Sequence, residues 1–289
     1  MRKPSKRRRF DDDDDAPHSL KLSSGPRLEE RPDDESWSSW DAPGVLHGPD
    51  PRPDWVLTEL AAIDAELGVL KTGKEADVYL VERGIPDTDR SVLMAAKRYR
   101  APEHRLFHRD AGYLDGRRVR ESRLNRAMAN RTSFGREVIA GQWAAAEFAA
   151  LGRLWALGVA VPYPVQLLGT EVMLEFIGDP DGSAAPRLAQ TRPDPGELHD
   201  LWDQLVGALA TLARAGLAHG DLSAFNLLVH HGRLVMIDLP QVVDVVSNPA
   251  GREFLSRDVH VVAKWFTARG LDVDADRLLD DLMSDAGIR

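Results

Sequence analysis

His219-Gly-Asp221-Leu-Ser-Ala-Phe-Asn226 is the stretch around which the rest of the chain is interpreted. Its aspartate is followed five residues later by an asparagine, and Ile237-Asp238 adds a second carboxylate after a short predicted hairpin. In phosphoryl-transfer sites, one such aspartate orients the acceptor hydroxyl, while the asparagine and the second aspartate hold magnesium. The spacing therefore predicts phosphoryl transfer, with Asp221 orienting the acceptor hydroxyl and with Asn226 and Asp238 as magnesium ligands.

Composition is typical of a globular protein and excludes some classes of site. Of 289 residues, 43% are hydrophobic and 29% are charged, which is enough for a sizeable core. The absence of cysteine excludes disulfides and thiolate metal sites. Because no apolar run is long enough to span a bilayer and the N-terminus lacks a signal-peptide core, we expect a cytoplasmic protein without membrane contact. The net charge of −9 argues against general coating of nucleic acid.

Residues 1–50 are a charged segment. The basic cluster Lys6-Arg7-Arg8-Arg9 is followed by five aspartates, Asp11 to Asp15, and then by residues with little apolar content. Like charges repel and bury nothing, so we expect residues 1–50 to be a disordered tail and residues 51–289 to form the domain. Apolar residues at helical spacing then predict a helix from Trp55 to Leu67.

A glycine-bearing turn follows. Gly68, Gly73 and Lys74 fit the Walker A pattern, but Glu75 occupies the position where Ser or Thr must bind magnesium. Ala76 to Val81 alternates like a strand, whereas a Walker A loop leads into a helix. The remaining interpretation is a turn between two strands whose backbone N–H groups face phosphate.

A lysine and a glutamate are predicted to pair. Lys97 lies in a predicted strand, Ser91 to Tyr99, and Glu147 lies on the inward face of a predicted helix, Gln142 to Leu157. An unpaired carboxylate on that face would be costly, so Lys97 is its natural partner. Such a pair holds the α- and β-phosphates in protein kinases, and a purely structural ion pair is the alternative.

The segment between this strand and this helix is rich in arginine. From Arg98 to Arg136 it contains eleven arginines and four acidic residues. A solvated, flexible insert is one interpretation, and a segment that contacts RNA or a ribosome is the other. Ser122, Thr132 and Ser133 are candidate sites of self-phosphorylation.

The second half of the chain predicts a linker and a mainly helical region. A strand over 171–176 runs into a Gly/Asp/Pro-rich segment, which is typical of a linker between lobes. Backbone groups of Glu175 and Ile177 at that crossing would hydrogen-bond an adenine edge. Helices are predicted over 198–212, 249–266 and 275–283, and a hairpin is predicted around His231-Gly232. Asp258 is a candidate anchor for the loop that contains Asp221.

These segments resemble the RIO atypical protein kinases, in particular the subfamily without an N-terminal winged helix. The resemblance spans residues 55 to about 270, and it is carried by Thr72-Gly-Lys-Glu-Ala-Asp-Val-Tyr79, Ala95-Ala-Lys97, Trp143-Ala-Ala-Ala-Glu147, Glu175-Phe-Ile-Gly178, His219 to Asn226, Ile237-Asp-Leu-Pro-Gln241 and Phe254-Leu-Ser-Arg-Asp258. It implies an α+β, two-lobed protein-kinase-like fold. The β-rich N-lobe would cover about 55–176, with the insert at 98–136, and a reduced, mainly helical C-lobe would cover about 177–289.

The resemblance also implies an ATP- and magnesium-dependent serine/threonine protein kinase, with manganese as a second candidate metal. Asp221 would be the catalytic base, Asn226 and Asp238 would bind the metal, and Asp238 would also be able to form an aspartyl-phosphate. Ser223 would offer a hydroxyl near the transferred phosphate. The expected nucleotide contacts are Lys97, Glu147, Glu175, Ile177, Thr72, Gly73, Lys74, Val78, Ala95 and Leu228.

Two departures and two alternatives accompany this interpretation. Ala224-Phe225 stands where the family usually has Glu-Tyr, and Leu239-Pro240 stands where Val-Ser or a similar pair is usual. Neither departure removes a catalytic atom. A small-molecule kinase of the aminoglycoside or choline type would use the same loop and the same second aspartate. An assembly factor whose ATPase cycle controls binding to a ribonucleoprotein would also share the site.

Overall fold

An antiparallel sheet forms the first part of the fold. The computed structural model describes residues 35–100 and 133–288, the first five of the second range as backbone only. The strands are β1 Glu35–Trp37, β2 Leu46–His47, β3 Ile63–Thr72, β4 Ala76–Gly84, β5 Ser91–Tyr99, β6 Pro164–Leu168 and β7 Glu171–Glu175. They pair in the order β1-β3-β4-β5-β7-β6-β2. β1 and β2 precede residue 51, the predicted start of the domain, and so lie within the predicted tail. Residues 1–34 of that tail lie outside the described residues.

The two faces of this sheet bury different side chains because residues alternate along each strand. On one face, Val81, Met94 and Met173 pack with Trp40 and Tyr163. The other face packs against the helix α1, Ser133–Ala156, through residues that include Ala76, Tyr99, Val172, Ala144, Phe148 and Leu151. Lys97 is two residues from Tyr99 in β5 and therefore projects from the face that α1 covers.

The predicted helix from Trp55 to Leu67 is wrong, because residues 55–62 form a loop and the remainder belongs to β3. The apolar residues do not share one face: Leu57 is 5% exposed, whereas Leu60 is 81% exposed. The carboxylate of Asp64 instead accepts two hydrogen bonds, of 2.6 and 2.8 Å, from the buried guanidinium of Arg83 in β4. This buried ion pair stabilises β3 beside β4, where the two strands pair in antiparallel register.

Helices dominate the second part of the described chain. They are α2 Pro195–Arg214, α3 Gly251–Thr267 and α4 Ala275–Asp285. The short strands β8 Leu217–Ala218, β9 Leu227–His230, β10 Arg233–Met236 and β11 Val243–Asp244 form two hairpin-like pairs, β9 with β10 and β8 with β11. The carboxylate of Asp194 caps α2 by accepting hydrogen bonds from the N–H groups of Gly196 and Glu197. The buried face of α2 presents leucines at helical spacing: Leu198, Leu201, Leu205, Leu209 and Leu212.

The architecture confirms the predicted α+β, kinase-like class. The sheet with α1 forms the β-rich lobe, and α2 to α4 with the β9–β10 hairpin form the mainly helical lobe. Residues 176–179 follow β7 and lead into the helical lobe, and they coincide with the segment for which a linker was predicted. Within the two described ranges, no helix has the length and apolar character that crossing a membrane requires.

Candidate active site

Lys97, Glu147 and Asp238 form a charged cluster where the sheet, α1 and the segment after β10 meet. The Lys97 ammonium nitrogen lies 2.7 Å from Oε1 of Glu147 and 2.8 Å from Oδ1 of Asp238. Glu147 is 1% exposed, so its charge is compensated within the protein. The predicted pairing of Lys97 with Glu147 is thus confirmed. The contact with Asp238 was not predicted, and it links the β-rich lobe to the segment that follows the hairpin.

The cluster sets the charge of its members. Burial by itself lowers the pKa of Lys97, but the neighbouring Glu147 and Asp238 charges outweigh it and raise that pKa above its ordinary value. Burial by itself raises the pKa of Asp238, but the Lys97 ammonium outweighs it and holds that pKa below its ordinary value. Lys97 is therefore a cation and Asp238 an anion at neutral pH, which are the states that phosphate and metal binding require.

Tyr99 completes the cluster and was not among the predicted residues. Its hydroxyl donates a short hydrogen bond to Oε2 of Glu147, whose Oε1 also accepts the Leu239 N–H at 3.2 Å. Burial and then the Glu147 charge raise the pKa of Tyr99 well above its ordinary value, so the hydroxyl remains a donor. The sequence could have indicated that Tyr99 lies near Glu147, because residues two apart in a strand, such as Lys97 and Tyr99, share a face.

The loop that contains Asp221 is anchored by the buried carboxylate of Asp258 in α3. That carboxylate accepts the N–H of Gly220 at 2.7 Å and the N–H of Leu222 at 2.9 Å, on either side of Asp221. Burial raises the pKa of Asp258 above its ordinary value. Gly220 has φ 86°, and a Cβ at this position would lie 2.3 Å from the Gln241 carbonyl oxygen, so only glycine fits. The anchoring role predicted for Asp258 is confirmed.

Asn226 and His219 connect this loop to Ile237 and hence to Asp238. The Asp221 N–H donates to Nδ1 of His219 at 3.3 Å, so Nε2 carries the proton that it donates to the Ile237 carbonyl at 3.1 Å. The Asn226 amide nitrogen donates to the Asp221 carbonyl oxygen at 2.9 Å, and the Ile237 N–H donates to the Asn226 carbonyl at 3.0 Å. Asp238 has φ 66°, a left-handed conformation that aspartate tolerates better than most residues. Among residues 35–100 and 133–288, the Asn226 carboxamide oxygen accepts no hydrogen bond, so its position is compatible with the predicted role as a metal ligand.

Asp221 forms an ion pair with Arg257, which no sequence pattern had indicated. One guanidinium nitrogen of Arg257 donates to Oδ1 of Asp221, and the two side chains are 50% and 43% exposed. Arg257 immediately precedes Asp258, so α3 contacts the loop through both residues. Ser223, another predicted catalytic residue, accepts the Phe225 N–H through its hydroxyl oxygen at 3.3 Å and thereby stabilises the turn.

A cleft of about 850 Å³ lies beside the charged cluster. This volume falls within the range of about 300–1,000 Å³ that is typical of small-ligand sites. Nine of the ten predicted nucleotide contacts line it: Gly73, Lys74, Val78, Ala95, Lys97, Glu147, Glu175, Ile177 and Leu228. Thr72 does not line it and instead pairs with Asp77 in the sheet. Lys71 and Arg187 line the cleft as well and were not predicted.

Glu175 and Ile177 lie where the cleft meets the linker. The Glu175 side chain accepts the Tyr163 N–H at 3.0 Å, and burial raises the pKa of this carboxyl. The Ile177 carbonyl accepts the Ala185 N–H at 2.9 Å. The Ile177 N–H has no hydrogen-bond partner among residues 35–100 and 133–288. It is therefore a donor that a ligand in the cleft can use.

Comparison with known proteins identifies the family. A family model described as the RIO domain matches residues 85–278, a range that includes every charged residue of the cluster and of the loop. The chain belongs to the RIO family of serine/threonine-protein kinases. At the two positions where this chain departs from the usual RIO residues, Phe225 is 60% exposed, and Leu239 contributes its backbone N–H, not its side chain, to Glu147.

Relatives carry RIO names across archaea and eukaryotes. RIO-type serine/threonine-protein kinase Rio1 of Haloferax volcanii is 36% identical over 231 residues, which cover 80% of this chain and 73% of that protein. Serine/threonine-protein kinase RIO1 of Chaetomium thermophilum is 32% identical over 228 residues, 76% of this chain and 42% of that protein. Serine/threonine-protein kinase RIO1 of Homo sapiens is 29% identical over 251 residues, 83% of this chain and 40% of that protein. The chain thus spans less than half the length of these two eukaryotic relatives.

Proposed function

We propose that this protein transfers the γ-phosphoryl group of ATP to a serine or threonine hydroxyl of a protein substrate. The observation that carries the proposal is the position of Lys97 between Glu147 and Asp238 on the wall of the cleft. A cation held by one buried carboxylate, beside a second carboxylate in the following segment, is the arrangement that protein kinases use. The family match favours a protein substrate over the small-molecule alternative.

The cleft offers separate groups to each part of ATP. Val78, Ala95 and Leu228 supply apolar surface for the purine, and the Ile177 N–H supplies a donor to its edge. Lys97 would bind the α- and β-phosphates, and Lys74, in the turn between β3 and β4, would supply a further cation, because both residues line the cleft. The Gly73 N–H donates to the Ala76 carbonyl at 3.0 Å and therefore closes the turn instead of facing a phosphate.

Asn226 and Asp238 would hold the metal ion. A carboxamide oxygen and a carboxylate oxygen are hard donors, which suit Mg²⁺ and also Mn²⁺. The low pKa of Asp238 fits this role, because a metal ligand must be deprotonated. When bound, the metal neutralises charge on the phosphates.

Asp221 would accept the proton of the substrate hydroxyl as that oxygen attacks the γ-phosphorus and the bond to the ADP oxygen breaks. The Asp258 carboxylate orients the backbone on both sides of Asp221, so the base is held by its loop. Arg257 donates to Oδ1 of Asp221 and thereby orients this carboxylate. Ser223 lies two residues further along the loop and would contribute its hydroxyl near the transferred phosphate.

The test is the transfer of radiolabel from γ-labelled ATP to serine-containing protein substrates with magnesium present. Asp221→Asn should lower turnover by at least about a thousandfold, or ~4 kcal/mol of barrier, because the proton acceptor is lost. Asp200→Asn changes an exposed aspartate of α2 in the same way and should retain wild-type turnover. Wild-type turnover by Asp221→Asn would refute the assignment.

An ATPase route through Asp238 is a second candidate, because Lys97 lies 2.8 Å from this ionised carboxylate and would also bind the phosphates. In that route a carboxylate oxygen of Asp238 attacks the γ-phosphorus, and ADP leaves as the bond to its oxygen breaks. Water then hydrolyses the aspartyl-phosphate to the free carboxylate and inorganic phosphate, as the assembly-factor alternative requires. Label that stays on the protein in acid, is lost in alkali and is absent from Asp238→Asn would support it. Label found only on added substrate would count against it.

We propose further that the protein is cytoplasmic, that it phosphorylates itself, and that its arginine-rich insert contacts RNA or a ribosome. The absence of cysteine and the need for ATP support the location, and the eleven arginines support the contact. Residues 101–132 of the insert, with Ser122 and Thr132, lie outside the described residues. Deletion of 101–132 followed by RNA-binding measurements would test the contact.

A further inference from the structure

Outside the cleft lining, three side chains converge on one point. Nε2 of His230 and Nε2 of His231 lie 3.3 and 3.2 Å from the same oxygen, Oδ1 of Asp179. The two imidazole centroids are 4.0 Å apart, with an angle of 46° between the rings. One ligand atom from each residue lies within 4.8 Å of those of the other two. We propose that these residues bind a divalent transition-metal ion of the Zn²⁺ class.

The distances match what such an ion needs. Ligand atoms held about 2.0–2.1 Å from a tetrahedral zinc ion lie about 3.3–3.4 Å from one another. Both nitrogen-to-oxygen distances, 3.3 and 3.2 Å, are close to that separation, so an ion requires little movement of Asp179 relative to either histidine. The two imidazole ligand atoms lie within 4.8 Å of each other. Two imidazoles and one carboxylate suit zinc, nickel or copper, whereas magnesium and calcium prefer oxygen ligands alone. With three protein ligands, the fourth position would be taken by water.

The backbone that presents the two histidines is well defined. His231 with φ 49° and Gly232 with φ 75° form the two-residue turn of the β9–β10 hairpin. The side chain of Gln204 in α2 donates to the Gly232 carbonyl at 2.9 Å and accepts the Leu234 N–H at 2.9 Å, which attaches the hairpin tip to the helix. A site on such a supported turn loses little conformational entropy when it binds an ion.

The third ligand is also held by its backbone. The Asp179 N–H donates to the Ser183 carbonyl at 2.9 Å, and the Asp179 carbonyl accepts the Gly182 N–H at 3.0 Å. Asp179 is two residues from Ile177, and His230 is two residues from Leu228, and both of these neighbours line the cleft. A bound ion would therefore join the segment after the linker to the hairpin behind the cleft. None of its ligands is a proposed magnesium ligand.

The matched comparison within the described residues is His260, which lies 3.2 Å from Oδ1 of Asp276 without a second histidine. Such an exposed pair forms a hydrogen bond or a weak ion pair, and it would offer a metal ion only one histidine. His260→Asn therefore serves as the control. His231→Asn removes an imidazole from the proposed site while keeping a residue that tolerates the left-handed conformation.

The experiment is zinc titration calorimetry on the untagged full-length chain, with excess Mg²⁺ present, repeated with Co²⁺ and visible absorption. The wild type and His260→Asn should bind one more zinc ion than His231→Asn, or bind it at least about tenfold more tightly. The Co²⁺ absorption band should be lost in His231→Asn and in His230→Gln. Equal zinc stoichiometry and affinity in the wild type and His231→Asn would overturn the proposal. A Co²⁺ band that persists in both variants would overturn it as well.

Discussion

Tyr99→Phe tests the contribution of the Tyr99 hydroxyl, a member of the charged cluster that the sequence motifs did not predict. The substitution keeps the aromatic ring, which is 5% exposed, and removes only the hydroxyl that donates to Oε2 of Glu147. Lys97 and the Leu239 N–H remain bound to Oε1 of the same carboxylate. The variant therefore leaves one oxygen of a buried charge without the donor that it has in the wild type.

The expected loss follows from the burial of that charge. A hydrogen bond to an ionised acceptor contributes about 1.5–3 kcal/mol to the free energy of unfolding. For a domain of this size each kcal/mol lowers Tm by about 2–4 °C, so Tm should fall by roughly 3–12 °C. Because Glu147 would then hold Lys97 less firmly, kcat/KM for ATP should fall by up to about tenfold, or ~1.4 kcal/mol.

Thermal unfolding followed by circular dichroism measures the first effect, and steady-state phosphotransfer measures the second. Tyr79→Phe is the control, because the Tyr79 hydroxyl has no hydrogen-bond partner in the described part of the chain. Tyr79 lies on the neighbouring strand, and Cζ of the Arg98 guanidinium is 4.4 Å from the centroid of its ring. That control should match the wild type in both assays. If Tyr99→Phe also matched the wild type in Tm, the hydroxyl would not stabilise the Glu147 charge, and the reasoning would fail.

Two further predictions concern the buried carboxyl group of Asp258 and the half-buried carboxyl group of Glu175. Asp258→Asn should lower the free energy of unfolding by about 1–3 kcal/mol, because the new amide group cannot accept from both backbone N–H groups beside Asp221. Turnover should fall as well. Urea denaturation measures the first effect and phosphotransfer the second, and an unchanged turnover would contradict the anchoring role. Burial raises the pKa of Glu175 from its ordinary 4.5, so its contribution to stability is fully present below pH 4.5 and is lost as pH rises through the raised pKa. Glu175→Gln should therefore gain stability relative to the wild type between pH 4 and pH 7 in nucleotide-free unfolding experiments, and a constant difference across this range would contradict the assignment.

Helices and strands whose hydrophobic pattern repeats over many residues were predictable from the sequence. β5 was predicted with the bounds that the structure has, and α2 to α4 were each predicted within a few residues, because their apolar faces repeat over several turns. β1 and β2 were missed because strands of three and two residues contain no period to detect. The prediction of a helix at 55–67 was wrong because the apolar residues in this segment differ in burial: Leu57 is buried, whereas Leu60 is exposed.

The sequence by itself determined that Asp221 and Asn226 lie five residues apart in one short segment, because this spacing is set by the covalent chain, and it thereby predicted their roles. It also indicated the Lys97–Glu147 pair, since strand and helix periods show which face each residue occupies. Only the tertiary structure decided the contact of Lys97 with Asp238, which lies 141 residues away, and the pairing of Asp221 with Arg257. The first contact arises where the sheet, α1 and the segment after β10 meet, and the second arises where α3 packs against the loop. No local pattern in the chain encodes a distance between separate elements.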